Sequence, residues 1–286
     1  MVKIGQSMHP NRVNGDLSRL DEELEQIKEA GADSCELVLQ GLDVVVGCKI
    51  IASRCDAVLE ILKKHDLEYS LHMPHGLNLL DAEMLGMNVD VFRASIEFSK
   101  VAGIKVINFH AGRSKTDDKT LMQKEAVMSK LLAESAPDIL FCMENPPLNV
   151  KEDFSAALSA EAMINFYNLV GLENFKLTFD IGHSFLNHFG DVNLMLEDMD
   201  RLLPYTGHIH LHDNCGTQMD MRTAGFGNNI VCGIGDAHLP IGWGRLPMDD
   251  ILSRLSCFNG IVNLEIEHRF NYQYHDCIAF VRDKLC

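Results

Sequence analysis

Apolar runs rich in β-forming residues alternate with amphipathic stretches from one end of the 286-residue chain to the other, and this alternation narrows the possible folds more than any other feature. The strand candidates are Val2–Ser7, Ser34–Leu39, Glu68–Met73, Ile104–His110, Ile139–Glu144, Phe175–Asp180, His208–His212 and Ile261–Glu267. Between them lie helical patterns such as Leu17–Ala30, Ala57–His65, Val91–Ala102, Ala160–Val170 and Val192–Leu203, with apolar residues recurring every three or four positions. Gly31 and Gly103 follow two of these stretches as helix stops. An amphipathic helix buries one face only, so each must lie on a sheet, and strands connected this way are parallel with right-handed crossovers. Eight such units in series close most naturally into a barrel. No linker rich in Pro, Gly or Ser interrupts them. The expected fold is therefore α/β, a single (βα)8 TIM barrel, with residues 1–286 forming one domain. A doubly wound sheet would need a glycine-rich phosphate turn after the first strand, and the sequence from Gln6 to Pro10 is not one.

Charge restricts the partners. The net charge of −16 sets up a field that repels polyanions, so nucleic acid is not expected to bind. The sequence Met1-Val-Lys-Ile-Gly lacks the apolar core of a signal peptide, and no stretch approaches the length of a membrane span. A cytoplasmic protein acting on a small molecule is the expectation. Nine cysteines without a CxxC pair, several of them inside apolar runs (Cys35, Cys142, Cys257), read as buried free thiols.

The ends of the strands carry the chemistry. His72 closes the third, His110 the fourth, Glu144 the fifth, Asp180 with His183 the sixth and His210 the seventh, while Glu265 lies on the eighth. A barrel gathers all its strand ends on one rim, so separation along the chain does not keep these groups apart. Asp236 and His238, in the long segment Asn214–Arg245, can fold over the same mouth. Carboxylates brought together raise one another's pKa unless a positive charge lies among them. A divalent ion supplies that charge, and a mixed set of carboxylate oxygens and imidazole nitrogens suits zinc, manganese or iron. Within His208-Ile-His210-Leu-His212 the three imidazoles share one face but stand about 6.5 Å apart per residue pair, too far to serve one ion. His208 is expected to be a core histidine, and His212 to support the ligands or sit at the rim. Glu265 and Glu267 share a face and compete for one ligand role.

These residues resemble the xylose isomerase-like barrel superfamily, which also contains enzymes of the apurinic endonuclease IV type. The resemblance lies in His72-Met-Pro-His-Gly-Leu-Asn78, Asn108-Phe-His110-Ala-Gly112, Met143-Glu144-Asn145, Asp180-Ile-Gly-His183, His210-Leu-His-Asp213, Asp236-Ala-His238, Gly242-Trp-Gly244 and Leu264-Glu265, in that order along almost the whole chain. By resemblance to the endonuclease IV group, up to three zinc ions are held by His72, His110, Glu144, Asp180, His183, His210, Asp236, His238 and Glu265. By resemblance to the sugar isomerases and epimerases, one metal uses Glu144, Asp180, His210 and Glu265. Endonuclease IV pushes bulky residues from the loop after strand three into DNA; this chain has His75 and Gly76 there.

Two activities are expected. The leading one is a multinuclear, zinc-type hydrolase of a small phosphoester or polar metabolite. The alternative is a sugar or sugar-phosphate isomerase or epimerase, using one divalent ion and a Glu144/Glu265 acid–base pair. Substrate contacts are expected from His75, Arg113, Asn145 and Arg245, with Arg222 a further candidate for binding an anionic group.

Overall fold

The computed structural model describes residues 2–114, 120–147, 154–155, 157–219 and 229–285. Arg222 lies outside the described residues. Eight parallel strands form the sheet: β1 (Lys3–Ser7), β2 (Ser34–Val38), β3 (Glu68–His72), β4 (Val106–His110), β5 (Leu140–Glu144), β6 (Phe175–Asp180), β7 (Thr206–Leu211) and β8 (Ile261–Leu264). Each pairs with its neighbours in chain order, and β8 pairs with β1 to close the barrel. Around it run α1 (Leu17–Glu29), α2 (Ala52–Leu62), α3 (Leu85–Ala102), α4 (Leu121–Glu134), α5 (Ala160–Val170), α6 (Val192–Leu202), α7 (Met248–Leu255) and α8 (Tyr274–Leu285).

The helices begin and end where local chemistry directs. Asp16 caps α1 by accepting the Ser18 and Arg19 N–H groups, and Asp191 caps α6 in the same way. Leu20, Glu23, Leu24 and Ile27 are the buried stripe of α1, spaced to face the sheet. Gly103 ends α3 with φ +72°, a left-handed conformation that costs glycine little. Outside the barrel, Phe92, Phe109, Phe141, Phe166 and Phe175 form a run of aromatic contacts with centroids 5.2–6.3 Å apart, joining α3 and α5 to β4, β5 and β6.

Several boundaries differ from the sequence reading. The helix expected over Ala57–His65 starts a turn earlier, because the N–H groups of Arg54 and Cys55 already reach the Ile51 carbonyl. The eighth strand stops at Leu264 rather than Glu267: the Glu265 N–H still reaches the Leu211 carbonyl of β7, but that of Glu267 turns to His238. Cys35 and Cys142 are buried thiols as expected; Cys257 is exposed, since it falls on the turn beyond α7. No described helix is long and apolar enough to cross a membrane.

Side chains pointing into the barrel are largely polar. Glu36, Ser70, Asn108, Thr178, His208 and Asn263 are all fully or almost fully buried there. Thr178 Oγ1 donates to Asn108 Oδ1 at 2.6 Å, while Ser70 Oγ and Asn108 Nδ2 both donate to Glu36 Oε2. This layer is the floor on which the functional side chains stand.

A second buried carboxylate lies outside the barrel interior. Glu125 on α4 accepts the Gly112 N–H at 2.5 Å, tying the segment after β4 to the helix, and its other oxygen has no partner. Burial pushes its carboxyl up from 4.5 to about 7. A carboxyl whose folded pKa exceeds its unfolded value binds more protons when folded, so its contribution to stability is lost as pH rises from about 4.5 to 7. Glu125→Gln keeps the acceptor for Gly112 and removes the titration. Thermal melts across that window should show the variant gaining on the wild type by about 3 kcal/mol; a constant difference between the two would contradict this reading.

Candidate metal centre

Strand register decides which groups meet. His110 pairs with Glu144 across β4 and β5, and Asp180 with His210 across β6 and β7. Asp180 also caps the short helix Ile181–Asn187, accepting the His183 N–H at 2.6 Å, which returns His183 to the same rim. Among the described residues the expected ligands fall into three adjoining groups. In the central one, His210 Nδ1 lies 3.3 Å from Glu144 Oε2, 3.5 Å from Glu265 Oε1 and 3.9 Å from Asp180 Oδ2. In the second, His72 Nε2 and His110 Nε2 lie 3.1 and 3.4 Å from the two oxygens of Glu144. In the outer one, His183 Nε2 and His238 Nε2 lie 3.0 and 2.9 Å from Asp236 Oδ2. Ligand atoms around one ion at 2.0–2.1 Å stand about 3.3 Å apart, so these spacings are compatible with an ion as well as with hydrogen bonds.

The imidazoles are turned for the task. His72, His183 and His238 place Nδ1 against the carbonyls of Met73, Asn145 and Glu265 at 2.6, 2.9 and 2.7 Å. A carbonyl only accepts, so Nδ1 carries a proton, and Nε2 is the nitrogen turned toward the carboxylates. His210 is reversed: its Nε2 sits 3.0 Å from Glu36 Oε1, and Nδ1 faces the centre. The same carboxylate holds His208 at 3.2 Å, which accounts for that histidine's place in the core. Glu36 escaped the sequence reading, although a lone acid inside the apolar run Ser34–Leu39 is a signal of a compensated buried charge.

Electrostatics show what the cluster lacks. Burial alone would raise the Glu144 carboxyl, but the imidazoles of His110 and His210 outweigh it and hold it well below its usual range. Asp236 is also held well below, by His238 and His183 against the cost of burial. Burial would lower His183 and His238, yet Asp180 and Asp236 hold the first well above its ordinary value, and Asp236 raises the second to about 10. Even so, Glu144 Oε1, Asp180 Oδ2, His210 Nδ1, His212 Nε2 and Asp236 Oδ1 are buried without a well-formed hydrogen bond. Unpartnered buried polar atoms are rare, and here they aim at common points. A divalent ion fits this donor set.

Above the cluster opens a cavity of about 470 Å³, with His75, Asn78, Arg113 and His238 in its wall. Of the expected substrate contacts, His75 and Arg113 line it. Asn145 is instead buried, pairing with the Asp180 backbone through both ends of its amide at 2.9 Å. Arg245 is exposed, donates to the Cys215 carbonyl and is absent from the cavity wall, because its loop runs outward beyond Asp213. Glu265 joins the central group, whereas Glu267 pairs with His9 at 3.0 Å, since the strand alternation that would have put both on one face ends at Leu264. His212 is fully buried beside the outer group, and is not a rim residue.

A closed eight-stranded parallel barrel whose C-terminal rim carries clustered imidazoles and carboxylates defines a recognisable class of protein. Residues 24–283 match the family model described as xylose isomerase-like TIM barrel, and the chain belongs to that family. An uncharacterized protein of Methanocaldococcus jannaschii is 26% identical over 243 residues, 80% of this chain and 82% of the relative. A D-tagatose 3-epimerase-like protein superposes with a TM-score of 0.73 at 20% identity, covering 99% of this chain and 98% of that one. A xylose isomerase-like TIM barrel protein from Mycobacterium smegmatis, in complex with magnesium, superposes with a TM-score of 0.71 at 15% identity, covering 99% and 96%. At these identities the likeness establishes the fold.

The contact between Glu36 and His210 yields a test. Glu36→Gln should weaken divalent-ion affinity about 10- to 100-fold in titration calorimetry, the usual effect of losing a carboxylate behind a ligating imidazole, with the circular dichroism spectrum unchanged. Unaltered affinity would remove Glu36 from the centre.

Proposed function

We propose that this protein is a divalent-metal-dependent isomerase or epimerase of a small, sugar-like polyhydroxylated substrate. The observation that carries the reading is the approach of Glu144, Glu265 and Asp180 to His210 Nδ1 at 3.3, 3.5 and 3.9 Å, the carboxylates coming from β5, from just past β8 and from β6. A divalent ion bound there would polarise a substrate carbonyl and its neighbouring hydroxyl. Glu144, held ionised by the surrounding imidazoles, is suited to take the proton from the carbon beside that carbonyl. Glu265, just past the end of β8, returns a proton to the resulting enediol; the face or carbon that receives it decides between epimer and isomer. His72, His75, His110 and Asn78 line the cavity with groups that can orient hydroxyls. Resemblance in fold to epimerases supports this over the hydrolytic expectation.

The test is solvent isotope exchange. With manganese, zinc or magnesium supplied, deuterium from solvent should enter the carbon adjacent to the carbonyl of a ketose that the protein accepts, read by NMR. Glu265→Gln should lower the exchange about 10²- to 10⁴-fold. No exchange across a broad panel of ketoses and their phosphates would overturn the reading.

A hydrolase of small phosphoesters is the second reading, favoured by one observation: Glu144 is shared between the central group and the group formed with His72 and His110. Ions at both would supply the positive charge that displacement at a phosphoester needs. Arg113, in the cavity wall, can hold the anionic substrate. Under this reading His110→Ala abolishes phosphate release from small phosphomonoesters, and elemental analysis of the wild type finds more than one ion per chain; a single ion would count against it.

A further inference from the structure

We infer that Ser7 is a positioning residue for Glu265: its hydroxyl, itself oriented by Asn263, holds that carboxylate against His210, where a divalent ion would bind. The inference rests on the reading of Glu265 as a ligand of the central group, and it is the same for an isomerase and for a hydrolase.

Glu265 needs such a hold more than its neighbours do. Glu144 and Asp180 close strands of the barrel, and strand geometry directs their side chains inward. Glu265 lies one residue past the end of β8, where alternation no longer sets the direction of a side chain. Among the described residues one hydrogen-bond donor reaches its carboxylate: Ser7, the last residue of β1, whose Oγ lies 3.3 Å from Oε1. This is the oxygen that stands 3.5 Å from His210 Nδ1.

The hydroxyl is itself directed. Asn263 Nδ2 donates to Ser7 Oγ at 2.7 Å, so a lone pair of the hydroxyl is taken and its single proton is left for Glu265. The amide of Asn263 has one workable orientation. Its Nδ2 also lies 3.4 Å from Glu36 Oε1, and a flipped amide would set oxygen against that carboxylate. The other end, Oδ1, has no partner and lies beside residue 5, which pairs with Asn263 across β1 and β8. A Cβ there would come within 2.9 Å of Oδ1, so glycine at position 5 is what admits the amide. Glu36 therefore reaches the central group by two routes, directly through His210 and through Asn263 to Ser7. Both routes end at the contact between His210 Nδ1 and Glu265 Oε1, and this closed ring of side chains leaves Glu265 less freedom than one contact would.

The experiment titrates manganese(II) into the full chain, stripped of metal, and reads binding by calorimetry. The binding event that Glu265→Ala removes identifies the central ion. Ser7→Ala should weaken that event about tenfold or more, the usual effect of losing a hydrogen bond to a ligating carboxylate. Ser7→Thr keeps the hydroxyl, and its methyl has room in a cavity of about 200 Å³ that Ser7 and Glu265 both line, so affinity should return to the wild-type value. If Glu265→Ala removes an event that Ser7→Ala leaves untouched, the inference falls and the proposed function stands. Equal losses in Ser7→Ala and Ser7→Thr would make the effect one of packing, and the inference falls again. Should Glu265→Ala remove no event, Glu265 is not a ligand, and the proposed function falls together with the inference. Diffraction from manganese-loaded wild-type crystals decides without a variant: Ser7 Oγ is expected about 2.5–2.7 Å from a Glu265 oxygen, and a carboxylate turned away from Ser7 refutes the assignment.

Discussion

Burying carboxylates inside a barrel is the constraint on which the rest of this structure turns. Glu36, Glu144 and Asp180 have no exposed surface, and an ionised carboxylate in such a place is tolerable only when opposite charge and hydrogen-bond donors surround it. The protein meets the requirement at two levels. Below, Glu36 is embedded among Ser70, Asn108, His208 and His210. Above, Glu144 and Asp180 face imidazoles whose protons a metal ion can replace. The two levels share His210, which offers one ring nitrogen to each.

This arrangement exchanges ordinary core packing for function. The apolar core lies between the barrel and its helices, where the phenylalanine run and the buried stripes of the helices exclude water. The barrel interior, free of that duty, is given over to a connected polar layer. Such a layer is favourable only when nearly every member is satisfied. Its unpartnered atoms lie both in the floor, on His208 and Asn263, and at the rim, on Glu144, Asp180 and His210, and Glu36 with His210 links the two levels.

Geometry also sorts the rim groups by what they leave open. Glu265 of the central group reaches the wall of the cavity, while Glu144, Asp180 and His210 are fully buried. His183, Asp236 and His238 of the outer group line that cavity, beside the helix after β6 and the returning chain after β7.

Periodicity was enough to derive the barrel from sequence, because strands of period two and helices of period 3.6 leave their mark in the residues themselves. The positions of His72, His110, Glu144, Asp180 and His210 at strand ends were legible for the same reason: closed topology fixes where a strand end goes. Glu36 was missed because its value depends on partners from β3, β4, β7 and β8, none of them near it in the chain. Arg245 was misplaced, and Glu265 could not be told from Glu267, because both judgements needed the path of the chain beyond a strand, where alternation no longer applies. His212 lay beyond reach too, since only the fold brings Gly182 beside it and Asp236 back over it. The order of residues thus determined the elements and the ring of ligands, which follow from local pattern and closure. Tertiary structure alone decided how those ligands divide into groups and which imidazole nitrogen each presents, because contacts between distant segments set both.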